Sequence, residues 1–141
     1  MHDSPISMKE FKHLVREAMA TLPEEIRQHT DNVVVEVDEW PSDELLMRAG
    51  LTMDEIEEGD SLFGLFEPFE MPHDGVDFQD HPHKLWIFKG PHEEEFGDDP
   101  KRLRTEIRKT VVHELAHHFG WTDRDLERFD ANPDPFGDET P

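Results

Sequence analysis

With 141 residues the chain has length for one domain and one core, not for two independent ones. Its 14 basic residues face 35 acidic ones, and a formal charge of −21 repels nucleic-acid phosphates and anionic membranes while favouring cations, basic peptides or basic partner surfaces. The lack of cysteine excludes disulfides and thiolate metal sites, and without a leader-like segment or an apolar run near the roughly 18 residues of a membrane span a cytoplasmic protein is expected.

Ser7 and Glu10 have capping-box spacing, and Phe11, Leu14, Val15, Ala18 and Leu22 then form one apolar stripe, which predicts a first helix. Pro23 interrupts it and starts a short second helix, PEEIRQ. NVVVEV, 32–37, is β-branched and predicts a strand. Ser42 to Gly50 and Thr52 to Gly59 each read as a capped two-turn helix closed by glycine. SLFGLFEP, 61–68, predicts a second strand in which Gly64 marks a bulge or a close backbone approach.

EMPHDGVDFQDHPH, 70–83, is rich in Pro, Asp and His and reads as a long loop with a hairpin turn at Asp74 and Gly75. KLWIFKG, 84–90, is apolar on both faces, as a buried third strand would be, and PHEEEFGDD reads as a loop after it. Asp99 and Pro100 supply an N-cap and a first-turn proline. Leu103, Ile107, Val111, Leu115 and Phe119 then recur every four residues, predicting a helix of about 20 residues ending at Gly120. DRDLERF adds a further turn or two, and 131–141 reads as a disordered acidic tail beyond a single domain spanning 1–130. Strands interleaved with helices, and one long helix near the end, predict an α+β fold with a small mixed sheet packed on helices.

The long helix carries the chemistry. His113 and His117 stand four residues apart and project from one face, where two imidazoles can bind one zinc ion. Glu114 lies about 100° around the helix, placed to reach a metal-bound water and act as general base, the HExxH arrangement of metallopeptidases. With 10 histidines in 141 residues this pattern alone arises by chance roughly one time in ten. Gly120 and Asp123 at the following positions lower that to about one in a thousand.

Gly120 can end the helix in the left-handed conformation, so that Asp123 returns a carboxylate to the metal. Two His, one Asp and a water would make a four-coordinate site of the catalytic type. The bland reading of Asp123 is an N-cap for DRDLERF, and Asp125 and Glu127 lie on the wrong register for the return. His118 sits off the metal face, as a supporting or surface histidine or as a transition-state contact in the cleft. Asp130, Asn132 and Asp134 alternate as calcium ligands do, but Pro135 stands where an EF-hand needs glycine.

The runs TVVHELAHHFGWTD, KLWIFKGP and SLFGLFEP, with an N-terminal helix ending in LPEE, resemble the small bacterial minimal zincins that share HExxHxxGxxD. The resemblance covers roughly residues 8 to 128. It implies a stripped-down zincin fold, one zinc on His113, His117 and Asp123, Glu114 as catalytic base, and a peptide or protein substrate of no defined class, which the acidic surface would favour as basic or unfolded. It also implies that KLWIFKG is the sheet edge along which the substrate extends.

Two features of larger zincins are absent: a methionine after the third ligand, and a tyrosine or late histidine for the oxyanion. The donor would have to be His118, His92, His81, His83, Arg124 or a backbone N–H. The competing reading is a catalytically weak or inactive zinc-stabilised module that binds a basic partner.

Overall fold

A computed structural model describes residues 6–68 and 82–131, apart from the side chain of His117. In chain order the elements are α1 (Met8–Ala20), α2 (Glu24–Arg27), β1 (Val33–Asp38), α3 (Asp43–Arg48), α4 (Met53–Glu57), β2 (Gly64–Glu67), β3 (His83–Phe88), α5 (Lys89–Phe96), α6 (Pro100–His118) and α7 (Asp123–Ala131). The three strands form one mixed sheet in the order β1-β3-β2, with β1 parallel and β2 antiparallel to β3. The expected α+β class is what the chain adopts.

Local chemistry explains most of the boundaries. Ser7, Ser42 and Thr52 each accept a hydrogen bond from the backbone N–H three residues on, capping α1, α3 and α4. Gly50 and Gly59 follow α3 and α4 with φ of 106° and 95°, a conformation without a Cβ penalty only for glycine. At the start of α6, Asp99 accepts from the N–H groups of Lys101 and Arg102, and Pro100 fills a position whose N–H would have no helical partner.

α6 lies across one face of the sheet with α1 beside it. Leu103, Ile107, Val111, Val112, Leu115 and Ala116 of α6 are buried against Phe11, Val15 and Ala18 of α1 and against Phe66, Leu85 and Ile87 of the sheet. Polar clasps tie the two helices: Arg104 Nε donates to Glu17 at 2.9 Å, and Arg108 Nη1 donates to the Thr21 carbonyl at 2.8 Å. The second bond satisfies an end-of-helix carbonyl of α1 that has no partner within the helix.

Two expectations need correcting. PHEEEFGDD is not a loop, because Lys89–Phe96 is the helix α5, which starts directly after β3. Pro91 falls in its first turn, where its missing N–H costs nothing, and Lys89 pairs with Glu93 one turn on at 3.1 Å. The sheet edge is also reassigned. β3, the KLWIF strand, is central between β1 and β2, so among the described residues β2 is the edge strand beside α6. The expected Asp74–Gly75 turn, most of the 70–83 loop and residues 132–141 lie outside the described residues, while Ala131 is the last residue of α7. Among the described residues no helix is long and apolar enough to cross a membrane.

Candidate metal centre

The end of α6 is built as its sequence suggests. Gly120 has φ +90°, and the Trp121 N–H reaches back to the Ala116 carbonyl at 3.1 Å, closing the helix by a Schellman-type bond. The next helix is capped by Thr122, not by Asp123. The Thr122 N–H donates to Asp125 Oδ2 at 2.9 Å and the Asp125 N–H donates to the Thr122 hydroxyl at 3.2 Å, a reciprocal capping box. The bond from the Thr122 backbone, ahead of the Thr122 hydroxyl and Arg128, holds the Asp125 carboxyl below its ordinary value. Asp123 is therefore the first residue of α7, exposed and not employed as the cap.

Glu114 is fixed by the sheet. Its Oε1 accepts the backbone N–H of Phe66 at 3.0 Å. In the β2–β3 pair the Phe88 N–H donates to the Phe63 carbonyl, so alternate residues, Gly64 and Phe66, turn their N–H and C=O groups away from β3. Gly64 makes the contact possible, since a Cβ there would lie 2.8 Å from both Thr110 Cγ2 and the Trp86 carbonyl oxygen. Thr110 and Glu114 are one helical turn apart, and Gly64 and Phe66 share a strand face. The close approach at the first pair thus brings the second pair together. The expectation of a close backbone approach at Gly64 holds, with α6 as the element that approaches.

Of the other histidines, His92 is fully buried and both its ring nitrogens are engaged, with Phe88 O at 2.7 Å and Thr110 Oγ1 at 2.8 Å. That removes it from the candidate oxyanion donors. His118 is exposed and tilted over the Phe66 ring at 4.2 Å, and His83 lies against the same ring at 5.6 Å. Both imidazoles therefore flank the residue whose N–H holds Glu114. Arg124 is exposed on α7, and His81 lies outside the described residues.

His113 has a partner that sequence reasoning missed. Its Nε2 is 2.7 Å from Oδ1 of Asp130 on α7, while the Phe129 ring packs against its own ring at 6.4 Å. Asp130 is in a helix rather than in a calcium loop. Its only sequence signal is the amphipathic register of α7, in which Leu126 and Phe129 face inward. Among the described side chains, a set without His117, no three imidazole or carboxylate groups converge.

A family model for zincin-like metallopeptidases matches residues 30–132. The chain belongs to this family. Its fold is also that of a conserved hypothetical protein from Thermo thermophilus, at 22% identity and a TM-score of 0.53 over 89% of this chain and 98% of that one. A comparison with curated proteins returns no match.

Zinc is the metal such a family implies, and the donor chemistry here fits it. His113 and His117 stand four residues apart on α6, residue types that zinc takes as ligands, and α7 carries carboxylates. A nitrogen and an oxygen of the right kind already meet at His113 and Asp130.

Proposed function

We propose that this zincin-like chain is a zinc-dependent peptidase in which His113 and His117 hold the ion with a carboxylate of the segment after Gly120, Asp123 by the motif spacing. The observation that carries the reading is the Glu114 carboxylate, held 3.0 Å from the outward-facing N–H of Phe66 on the same helix as His113. When bound, the ion would supply Lewis acidity, polarising a substrate carbonyl and acidifying water.

Glu114 supplies the rest. Its carboxylate takes a proton from the attacking water as the oxygen bonds to the peptide carbonyl carbon, then delivers that proton to the amine nitrogen as the C–N bond breaks. The Phe66 N–H orients that carboxylate before any substrate arrives. The side of β2 turned away from β3, where the Gly64 N–H and the Gly64 and Phe66 carbonyls point while the Phe66 N–H is held by Glu114, is where an extended chain would bind, as in recognition by strand addition. A charge of −21 draws basic or unfolded peptides towards that edge, and the cysteine-free composition suits a cytoplasmic setting.

Glu114→Gln tests the reading, because the amide oxygen can still accept the Phe66 N–H while the base is gone. Hydrolysis of an unfolded protein substrate should fall about 10²–10⁴-fold with zinc content unchanged. Unaltered hydrolysis would defeat the mechanism. A second reading, a zinc-stabilised module for a basic partner, is favoured by the acidic charge and by the Asp130 carboxylate at His113. It requires that a chelator lower the melting temperature while no unfolded substrate is cleaved and a salt-sensitive basic partner is captured.

A further inference from the structure

We propose that the face of the sheet turned away from α6 carries a docking site for an arginine side chain of a flexible, basic protein segment. The site shares no residue with α6 or α7, so the inference goes beyond the peptidase reading and does not depend on zinc.

Alternation along the strands creates this second face. Leu85 and Ile87 of β3 are buried with α6 in the core, so Trp86 and Phe88 point to the opposite side. Asp38 of β1 is paired in register with Phe88 and lies on that side too. Between the sheet and α3 is a cavity of about 230 Å³, whose lining includes Trp40, Trp86, Phe88, Asp38, Glu44 and Arg48. Sites for whole small molecules run to roughly 300–1,000 Å³, so this one has room for a single long side chain.

The aromatic walls are held in place beforehand. Trp86 Nε1 donates to Glu67 Oε1 at 3.0 Å, and its ring lies within 10° of parallel to the Phe88 ring at 6.1 Å. The Trp40 indole packs on the bare Cα of Gly90, where a Cβ would come within 2.2 Å of it. Trp40 nevertheless stays 45% exposed. An indole that is fixed but left open beside a cavity can bind without losing further freedom.

The charges around the cavity select a cation. Glu67 engages the Arg48 guanidinium twice, Oε2 with Nε at 3.0 Å and Oε1 with Nη2 at 3.3 Å. Glu44 meets Arg48 only at 3.8 Å and is 80% exposed. Asp38 is exposed, with one carboxylate oxygen on the Glu39 N–H, and forms no ion pair among the described residues. Two carboxylates are thus left to receive a cation beside the indoles. A guanidinium can stack on an indole while its N–H fork meets a carboxylate, a combination closed to neutral side chains and to lysine. Trp86 already takes one cation, Lys84 Nζ at 5.4 Å from the ring centre, and Lys84 does not line the cavity. With 35 acidic residues against 14 basic ones, the chain as a whole steers basic segments towards it.

The test is an NMR titration of the full chain with a short Gly/Ser peptide carrying several arginines, read at the indole N–H signals of the 3 tryptophans. Trp40 and Trp86 should shift saturably while Trp121 stays still. Trp40→Ala, and separately Asp38→Asn with Glu44→Gln, should each weaken binding about tenfold. Glu57→Gln with Glu58→Gln removes the same charge from exposed positions on and after α4 and should leave the affinity within about twofold. A peptide with citrulline in place of arginine should not bind. Near-ultraviolet circular dichroism establishes that each variant folds, and the Asp38 and Glu44 pair decides the matter if Trp40→Ala does not. No saturable shift at Trp40 and Trp86 would overturn the proposal. So would an equal loss in the Glu57 and Glu58 pair, which would mean diffuse attraction to charge, or equal binding of the citrulline peptide. None of these outcomes bears on zinc content, so the two readings fail separately.

Discussion

His92 sits where α5, α6 and the sheet meet, between the rings of Phe11 at 5.7 Å and Phe63 at 4.9 Å. The Phe88 carbonyl can only accept, so Nδ1 carries the proton, while Nε2 lies 2.8 Å from Thr110 Oγ1, whose hydroxyl donates to the Glu106 carbonyl at 3.0 Å. Burial in this apolar setting lowers its pKa from 6.5 to about 4, against smaller opposing effects of the Phe88 carbonyl and Glu106. As pH falls through 6.5 the unfolded chain takes up a proton that the folded chain refuses until about pH 4. Stability is therefore lost across that window, by roughly 3 kcal/mol at its acid end. Urea unfolding at pH 7.5, 6 and 5 should show the loss, and His92→Gln should flatten it. An equal slope in the variant would mean that His92 is not the group responsible.

Gly64 makes a different demand, on space. Adding a methyl group would press on the Trp86 carbonyl and on Thr110 Cγ2, each 2.8 Å from the Cβ position. Gly64→Ala should cost about 1–3 kcal/mol by urea unfolding and should move α6 off β2, weakening the hold of Phe66 on Glu114. Neutral stability would show that the strand and helix can separate at no cost.

At the level of elements, α6 was the most legible part of the sequence. A stripe repeating every four residues, Asp99-Pro100 at one end and Gly120 at the other define it without reference to any other segment. Ser42, Thr52, Gly50 and Gly59 define α3 and α4 in the same local way. Gly120→Ala should cost about 1 kcal/mol, because φ of +90° is unfavourable for a residue with a Cβ. It should also disturb the start of α7, so urea unfolding and zinc affinity should both decline; a loss in neither would dissociate the turn from the site.

What the sequence hid is what depends on partners. KLWIF and LFGLFE are both apolar, and only their pairing decides that the first is central and the second an edge. α5 was masked by Gly90, Pro91 and a run of glutamates, yet Trp40 packs where a Cβ at Gly90 would lie, at 2.2 Å. Asp130 read only as one of an alternating set of calcium-type ligands until Leu126 and Phe129 anchored α7 on the core. The HExxH residues were readable because helix geometry alone relates them. Their partners, Phe66 and Asp130, come from other elements and no spacing rule reaches them.

Across the whole molecule, a thin sheet with one face on α1 and α6 carries the proposed site at the end of α6. In a chain of this size a bound ion contributes directly to folding: at about 1,000 times Kd it adds roughly 4 kcal/mol. Chelation should then lower the melting temperature by about 10 °C or more. The measurement closest to the central claim is the metal content of the purified chain, by elemental analysis on the wild type and on His113→Ala. One zinc per chain is expected in the wild type, with its loss in a His113→Ala variant that remains folded. A wild type without zinc under zinc-replete conditions, or His113→Ala retaining a full equivalent, would contradict it.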